Sequence, residues 1–211
     1  MAIAAAIVSL HAPAGAAASD RAQVHAAFRG FLRALAQRDA DAGASLLSAA
    51  SLPEWQRNRA LALHAQREEV AAEPPGRRLV VFALRHYEPK FLAKDGSPRE
   101  LVGHGIRAGV ADRDGLARVE LADVVVRGDR ASGNLLASGL PSTFRADFVR
   151  ERGAWKLDLP ATIGSAGRTV SRAAAASGAE EDDVIAGLLL LASGERPTAR
   201  IWQPLARSAA P

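Results

Sequence analysis

Residues 118–159 carry the strongest structural signal in the chain, a period of two in hydropathy that is interrupted by short turns. Side chains alternate between the two faces of a strand, so alternating apolar and polar residues indicate strands with one buried face. The pattern predicts four strands, over 118–127, 131–138, 143–150 and 154–159. Turns such as Gly128-Asp129 are short enough for hairpins and too short for crossovers. We therefore expect an antiparallel meander with one face against helices and the other in water.

The residues before this sheet follow a helical period. Asp20 is a candidate N-cap, and apolar residues recur three or four positions apart after it, at Val24, Phe28, Phe31, Leu32 and Leu35. A short second helix is expected over 42–48. The sequence Ser51-Leu52-Pro53-Glu54 has the spacing of a capping box and predicts a helix that runs to about Ala72, where 73–76 would stop it.

Two further segments precede the sheet. The run 79–84 is apolar and partly β-branched, and it is too short to distinguish a strand from a helix, so both remain open. Ser97-Pro98-Arg99-Glu100 is a second capping box. Val102, Ile106 and Val110 continue it at four-residue spacing, which predicts a helix.

After the sheet, the 17 residues of 161–177 are small and polar, and they are expected to form a loop with fragments of helix. The sequence 177–180 is a third capping box and predicts a C-terminal helix that Gly194 closes. The acidic residues at its start are interpreted as stabilisers of the helix dipole rather than as metal ligands. The apolar tail 201–205 should dock on the domain. The predicted fold class is α+β: N-terminal helices packed on a curved four-stranded antiparallel meander, with an extra C-terminal helix.

Composition and charge exclude several classes of protein. A hydrophobic fraction of 48% and a charged fraction of 24% rule out a wholly disordered chain and a polytopic membrane protein. The 27 Lys and Arg exceed the 23 Asp and Glu by only four charges, and the arginines are spread along the chain. This distribution favours a solvated basic surface over nucleic-acid binding. The absence of cysteine excludes disulfides, thiolate metal sites and a cysteine nucleophile.

The N-terminus is typical of an export signal. Residues 1–10 are apolar over the length of a signal-peptide core, and small residues through Ala18 supply a cleavage site. The stretch is too short to cross a bilayer, which takes about 20 apolar residues. No Lys or Arg precedes Arg21, so an alanine-rich leader in a cytoplasmic protein remains the alternative. We predict a leader over 1–18, a domain over 20–160, a C-terminal extension over 161–211, and a periplasmic or secreted protein.

The last predicted hairpin reads FVRERGAWKLDL over 148–159, with Trp155 and Leu157 on one face and Lys156 and Asp158 on the other. Together with the turn VRGDRA over 126–131, it resembles the end of the nuclear transport factor two-like (SnoaL-like, cystatin-like α+β) superfamily. The resemblance covers about residues 21–159. It implies a fold that hosts isomerases, dehydratases, lipid and polyketide binders and interaction domains, with a pocket between the concave face of the sheet and the helices.

Catalytic members of that superfamily use a carboxylate base with an oxyanion donor, or a histidine with tyrosine and aspartate. The resemblance therefore makes His86, Tyr87, His104 and Asp123 the candidate acid–base residues. Asp123 stands in an apolar row with Val119, Leu121 and Val125, which indicates a buried carboxylate, although a bulge or an arginine partner would also account for it. His86 and Tyr87 end an apolar run, where polar groups normally reach water.

Sequence motifs for cofactors do not occur. The chain has no P-loop, dinucleotide-binding or nucleophile-elbow motif, and no two histidines have the spacing of a helical metal pair, so neither a metal nor an organic cofactor is expected. The first hypothesis is a non-catalytic module that binds a small apolar ligand or a protein and forms a homodimer through the open sheet face. The alternative is a small isomerase or dehydratase acting on an apolar ligand. A stable membrane span and a nucleic-acid partner are not expected.

Overall fold

The computed structural model describes residues 14–87, 96–108 and 117–206. Residues 1–13 of the predicted leader, and Val110 of the predicted helix, lie outside the described residues. The fold class is α+β, as predicted. Its elements are α1 (Ala14–Gln37), α2 (Ala40–Ser45), α3 (Ser51–His64), α4 (Arg67–Ala71), α5 (Pro75–His86), α6 (Pro98–Ala108), β1 (Val119–Arg127), β2 (Arg130–Ala137), β3 (Leu140–Glu151), β4 (Ala154–Leu157), α7 (Leu159–Ser177), α8 (Glu181–Ser193) and a 3-10 helix (Ala199–Trp202).

The four strands form one antiparallel sheet in the order β1-β2-β3-β4, which confirms the predicted meander. The β2–β3 and β3–β4 turns place Ser138-Gly139 and Arg152-Gly153 at positive φ. A positive φ at both central residues is the geometry of the two-residue turn that matches the right-handed twist of hairpin strands. The β3 strand begins at Leu140 rather than at the predicted position 143, because the tight turn pairs Leu140 with Ala137 directly.

Helix α1 covers the inner face of the sheet. Phe28 meets Phe148 edge to face with 6.4 Å between ring centroids, and Val24 and Leu121 are buried in the same cluster. Asp20 is not the N-cap of α1, because the helix already begins at Ala14. Its carboxylate instead pairs with the guanidinium of Arg150 on β3. The strands and α1 are therefore joined by both apolar packing and an ion pair.

Arg150 belongs to the hairpin that carries the superfamily resemblance. Its guanidinium lies 4.6 Å from the centroid of the Trp155 ring, and the two residues are paired across β3 and β4. Trp155 is buried beneath it. A stacked guanidinium can keep its charge while covering an aromatic face. The motif is thus a packing unit that also fixes the position of α1 through Asp20.

Residues 161–177 are not a loop. They belong to α7, a helix of 19 residues that follows β4 without a break. The side chain of Asp158 accepts a hydrogen bond from the Ala161 N–H, and Pro160 occupies the first turn. Both features favour a helix start. The alternation predicted Asp158 on the strand face opposite to Trp155. In the structure its side chain caps α7 and is buried.

Helix α7 also completes the hydrogen bonding of β3. The β4 strand pairs only with residues 148–151 of β3, so the earlier part of β3 is paired with β2 on one side and has no strand on the other. Thr162 Oγ1 accepts a hydrogen bond from the Asp147 N–H at 3.0 Å, and Thr169 Oγ1 donates to the Thr143 carbonyl at 3.2 Å. Side chains of the helix thus satisfy backbone groups that a fifth strand would otherwise have taken.

The capping box predicted at Ser51 does not form. The Ser51 hydroxyl is fully buried, donates to the Leu157 carbonyl at 3.1 Å and accepts from the Leu159 N–H at 3.0 Å. Glu54 turns instead to Arg77, so Ser51 joins α3 to the end of the sheet. The helix ends at His64 rather than near Ala72.

Other start and stop signals had mixed outcomes. The Gln66 N–H donates to Glu69 Oε2 at 2.7 Å in a capping box that opens α4 and that was not predicted. The predicted box at Ser97 forms, with the Ser97 N–H donating to Glu100 Oε2 at 2.8 Å. The box at 177–180 does not, because Gly178 adopts the left-handed conformation that ends α7. Gly194 closes α8 in the same conformation, as predicted.

The segment 79–84, for which a strand and a helix were both open, lies in α5. With α4, α7 and α8 it forms a second core, whose fully buried members include Val70, Val81, Phe82 and Ile185. The C-terminal tail docks on this core, as predicted. Trp202 meets Phe82 with 4.6 Å between ring centroids, and the Leu205 N–H donates to the Ala62 carbonyl. In the part of the chain described here, no helix is both long and apolar enough to cross a membrane.

Arg85 lies on α5 in the helical half of the protein, which we define as α3, α4, α5, α7, α8 and the C-terminal tail. Its side chain is 4% exposed and donates to four backbone carbonyls: Leu61 at 2.8 Å, Ala62 at 3.1 Å, Ala65 at 2.6 Å and Ile201 at 3.1 Å. Three of them belong to the end of α3, where the helix carbonyls carry partial negative charge and can accept a further hydrogen bond. Burial lowers the pKa of Arg85 to about 10, so the guanidinium stays charged at neutral pH.

We expect Arg85→Met to lower the free energy of unfolding by about 2–5 kcal/mol, because four hydrogen bonds to buried or partly buried carbonyls are lost at once. Arg85→Lys should also be destabilised, since one ammonium cannot reach four carbonyls on two segments. The measurement is urea unfolding followed by circular dichroism, with Arg200→Met at an exposed site on the 3-10 helix as the matched control. Equal midpoints for Arg85→Met and the control would contradict this role.

Candidate functional site

His86 and Tyr87, two of the predicted acid–base residues, lie together at the end of α5. Their ring centroids are 5.2 Å apart, and both side chains are half-buried. His86 Nε2 is 2.9 Å from the Ser193 hydroxyl at the end of α8, and burial raises the pKa of Tyr87. The cavity that His86 lines has a volume of about 180 Å³ and is bordered by Glu195 and Ile201 rather than by His104 or Asp123.

The other two predicted residues, His104 and Asp123, lie on elements of the core between α1 and the sheet, which contains Phe28 and Phe148. His104 is half-buried on α6, which packs against α2 and α3. Asp123 sits in a β-bulge of β1 at a φ of 50°, and its exposed carboxylate accepts a hydrogen bond from Asn134 Nδ2 at 3.1 Å. The bulge shifts the apolar row, so that Val124 is buried while Val125 is 46% exposed. Asp123 is therefore not the buried carboxylate that the alternation indicated, and the catalytic roles of the four residues stay a prediction.

The sheet itself leaves little room for the pocket that the superfamily resemblance implies. Helix α1 covers the inner face of the sheet, with Phe28 packed on Phe148. A groove of about 390 Å³ lies between α1 and the start of β1. The outer face carries polar contacts, including Arg145 Nη2 to Ser132 Oγ at 2.6 Å. The homodimer expected through this face stays a prediction.

A larger groove lies in the helical half, between the start of α5 and the face of α7. We call it the α5–α7 groove; its volume is about 510 Å³. Its apolar surface comes from Pro74 and Pro75 at the start of α5 and from Pro160 and Ile163 at the start of α7. A volume of this size falls within the range of roughly 300–1,000 Å³ typical of small-molecule sites.

Two glycines determine how closely the walls of the groove approach. A Cβ on Gly76 would lie 2.0 Å from the Ile163 carbonyl oxygen, and one on Gly167 would lie 2.7 Å from the Gly76 nitrogen. These distances are far below van der Waals contact, so any larger residue would push α5 and α7 apart. Gly164, in contrast, has room for a side chain on the groove side, since its Cβ would meet only Arg168 at 3.6 Å.

Charged side chains brace the same walls. Arg77 binds Glu54 on α3, with Nη2 and Oε1 3.0 Å apart, and Glu73 before α5, with Nη1 and Oε2 2.6 Å apart. Arg57 also pairs with Glu73 at 3.0 Å. Burial opposes ionisation of Glu73, but hydrogen bonds from Arg77 and Arg57 outweigh it and lower the pKa of Glu73. The network ties α3 to α5 on one side of the groove.

Two arginines on α7 line the other side. Arg168 and Arg172 are exposed, and their guanidinium groups donate to the hydroxyls of Ser165 at 2.6 Å and Thr169 at 3.4 Å. Among the described residues, neither forms an ion pair with a carboxylate. The rim of the groove is thus basic on the α7 side, while Arg77 and Glu54 neutralise each other opposite.

A second groove, of about 570 Å³, lies between α8 and the C-terminal tail. Its floor is the Phe82–Trp202 pair, and the Arg67 guanidinium stacks 4.8 Å above the Trp202 ring. Asp182 and Asp183 stand on its α8 side. Burial raises the pKa of Asp182, even though Arg78 lies 3.1 Å away and acts against this shift. Because this groove is lined by both arginine and aspartate side chains, its charge favours neither an anionic nor a cationic ligand.

The α5–α7 groove is not predicted by the sequence pattern, because half of its lining residues lie in 161–177, where a loop was expected. A signal for α7 was present: Ile163, Gly167, Val170 and Ala174 recur at spacings of four, three and four. Asp158 and Pro160 also supply a cap and a first-turn proline. The charged brace could not be found in this way, since Glu54 and Arg77 are far apart in sequence.

Within the described ranges, no three His, Asp or Glu side chains come together in a way that could hold a metal ion. Comparison of the chain with protein-family models, curated proteins and solved structures gave no match. The superfamily resemblance therefore stays a prediction that depends on the hairpin and turn motifs alone.

The depressed pKa of Glu73 makes the brace sensitive to acid. A carboxyl whose folded pKa lies below its unfolded value stabilises the fold above the unfolded value, 4.5, and loses that contribution as pH falls. We expect Glu73→Gln to be less stable than the wild type at pH 7 and to lose less stability between pH 5 and 3. Urea unfolding across this pH range measures both effects. Glu68→Gln, at an exposed site on α4, is the control and should follow the wild-type curve.

Proposed function

We propose that this chain is an exported domain of the nuclear transport factor two-like type that binds a small, largely apolar ligand without transforming it. The α5–α7 groove is its binding site. The observation that supports this proposal is a groove of about 510 Å³ with a proline and isoleucine surface, whose walls are held by the Gly76–Gly167 contact and by ion pairs. Preformed, mostly apolar clefts with a few polar groups are typical of ligand sites.

The composition of the groove favours binding over catalysis. Glu54 is its carboxylate, and that group is already held by Arg77 and by Asn58 Nδ2 at 3.3 Å. A general base needs a free lone pair within reach of the substrate proton. No histidine or tyrosine stands among the described lining residues. The alternative is an isomerase or dehydratase that uses His86, Tyr87, His104 and Asp123. Such an enzyme would need these four residues to share one cavity. The cavity that His86 lines is not the α5–α7 groove, and neither His104 nor Asp123 lines it.

The binding proposal is tested by filling the groove. Gly164→Leu places an apolar side chain in the α5–α7 groove at a helical position with room for it, so the variant should fold at least as well as the wild type. We expect wild-type protein to bind the neutral dye Nile red, with a fluorescence increase, and Gly164→Leu to lose at least about tenfold in affinity.

Gly187→Leu is the matched control. Gly187 lies on α8 beside the second groove, and nothing stands within 4 Å of its Cβ position. This variant should bind Nile red like the wild type. If Gly187→Leu loses binding while Gly164→Leu keeps it, the ligand site is the second groove. If the wild type does not bind the dye, the binding function itself is wrong.

Export is tested separately. Protein isolated from its native host should begin at or near Ser19, because Ala18 ends the predicted cleavage site. Such cleavage would keep Asp20 and hence its ion pair with Arg150. Edman sequencing or intact mass spectrometry of the fractionated cell gives the answer. Intact Met1 in the cytoplasmic fraction would show that the segment is not an export signal.

A further inference from the structure

The two arginines on the α7 side of the α5–α7 groove have capacity for a further partner. Arg168 and Arg172 are four residues apart, which places them one helical turn, or about 6 Å, apart along the same face of α7. Both are exposed, and both line the groove. A guanidinium has five N–H donors, and a single hydroxyl contact occupies one of them.

Nearby negative charge neutralises this pair only in part. Arg168 reaches the carboxylate of Asp147 through Ser165: Ser165 Oγ donates to Asp147 Oδ2 at 2.6 Å and accepts from Arg168 at 2.6 Å. Glu181, beyond Ser171, is held by Arg78 at 2.6 Å. Arg172 donates to Thr169 at a long 3.4 Å. The α7 rim therefore presents net positive charge to a ligand in the groove.

We infer that the α5–α7 groove takes an amphiphile with one anionic headgroup, a carboxylate in the simplest case. The headgroup binds Arg168 and Arg172, and the apolar chain lies along Pro74, Pro160 and Ile163. This inference rests on the proposed function and adds the ligand class to it. Planar guanidinium groups match a carboxylate with two parallel hydrogen bonds, which an exposed ammonium or hydroxyl headgroup could not form.

An anion alone does not account for the site. Exposed charge pairs contribute little and are screened by salt, so two surface arginines hold a small anion weakly. The apolar wall supplies the rest, since each buried methylene should raise the affinity by about fourfold. Affinity should therefore rise along the series hexanoate, octanoate and decanoate and level off when the chain exceeds the groove.

The experiment measures displacement of Nile red by decanoate, decanol, decyltrimethylammonium and inorganic phosphate. The compounds with a decyl chain are used at concentrations at which they do not form aggregates. Wild-type protein should bind decanoate at least about tenfold more tightly than decanol, and decyltrimethylammonium and phosphate more weakly than both. The double variant Arg168→Gln/Arg172→Gln should bind decanoate and decanol with equal affinity, each measured against the variant's own affinity for Nile red. The matched control is Arg196→Gln/Arg200→Gln, two exposed arginines of the C-terminal tail, which should keep the preference for decanoate.

The outcomes separate the two proposals. Equal affinity of the wild type for decanoate and decanol, with Nile red bound, overturns the anionic ligand class and leaves the binding function standing. Absence of Nile red binding overturns both. The assignment is also overturned if Arg196→Gln/Arg200→Gln loses the preference for decanoate over decanol while Arg168→Gln/Arg172→Gln keeps it. That result would place the anion site in the second groove. Circular dichroism of each variant, with the single variant Arg172→Gln as a milder substitution, distinguishes lost binding from lost structure.

Discussion

A buried guanidinium without a carboxylate partner organises the helical half of this protein. Arg85 projects from α5 and donates to carbonyls at the end of α3 and in the 3-10 helix of the tail. Removing a cation from water is unfavourable unless every donor finds an acceptor. The carbonyls at the C-terminus of α3 meet that need, because they carry partial negative charge and a carbonyl oxygen can accept two hydrogen bonds. The position of α5 is thus coupled to that of α3 and of the tail.

This coupling explains how a groove forms outside the sheet. The far end of α5 is fixed by Arg85, and its near end is fixed by Arg77 and by the contact of Gly76 with α7. Helix α7 is in turn held to β3 through Thr162 and Thr169. Both walls of the groove are therefore attached to rigid elements at each end. A site on such elements needs little ordering when a ligand arrives, which is the condition for appreciable affinity.

The sheet could be predicted from the sequence because strand alternation and turn chemistry are local signals. Capping boxes were less dependable: the Ser51 hydroxyl fits the motif, but its partner is the Leu157 carbonyl, which no local pattern reveals. Helix α7 was missed because alanine, serine and glycine give little contrast in hydropathy. Asp123 was assigned to the wrong face because a bulge shifts the alternation by one residue. The groove depends on Glu54, Gly76 and Ile163, which only tertiary packing brings together.

The replacement of a fifth strand by α7 has a consequence for how copies of this chain meet. An unpaired strand edge is a template on which another molecule can add its own strand, and such pairing propagates into aggregates. Hydroxyl groups of Thr162 and Thr169 occupy that edge at the Asp147 N–H and the Thr143 carbonyl. A chain that stops before α7 would present both groups to its neighbours. The helix that gave so weak a signal in the sequence therefore withholds this part of the β3 edge from pairing with another strand.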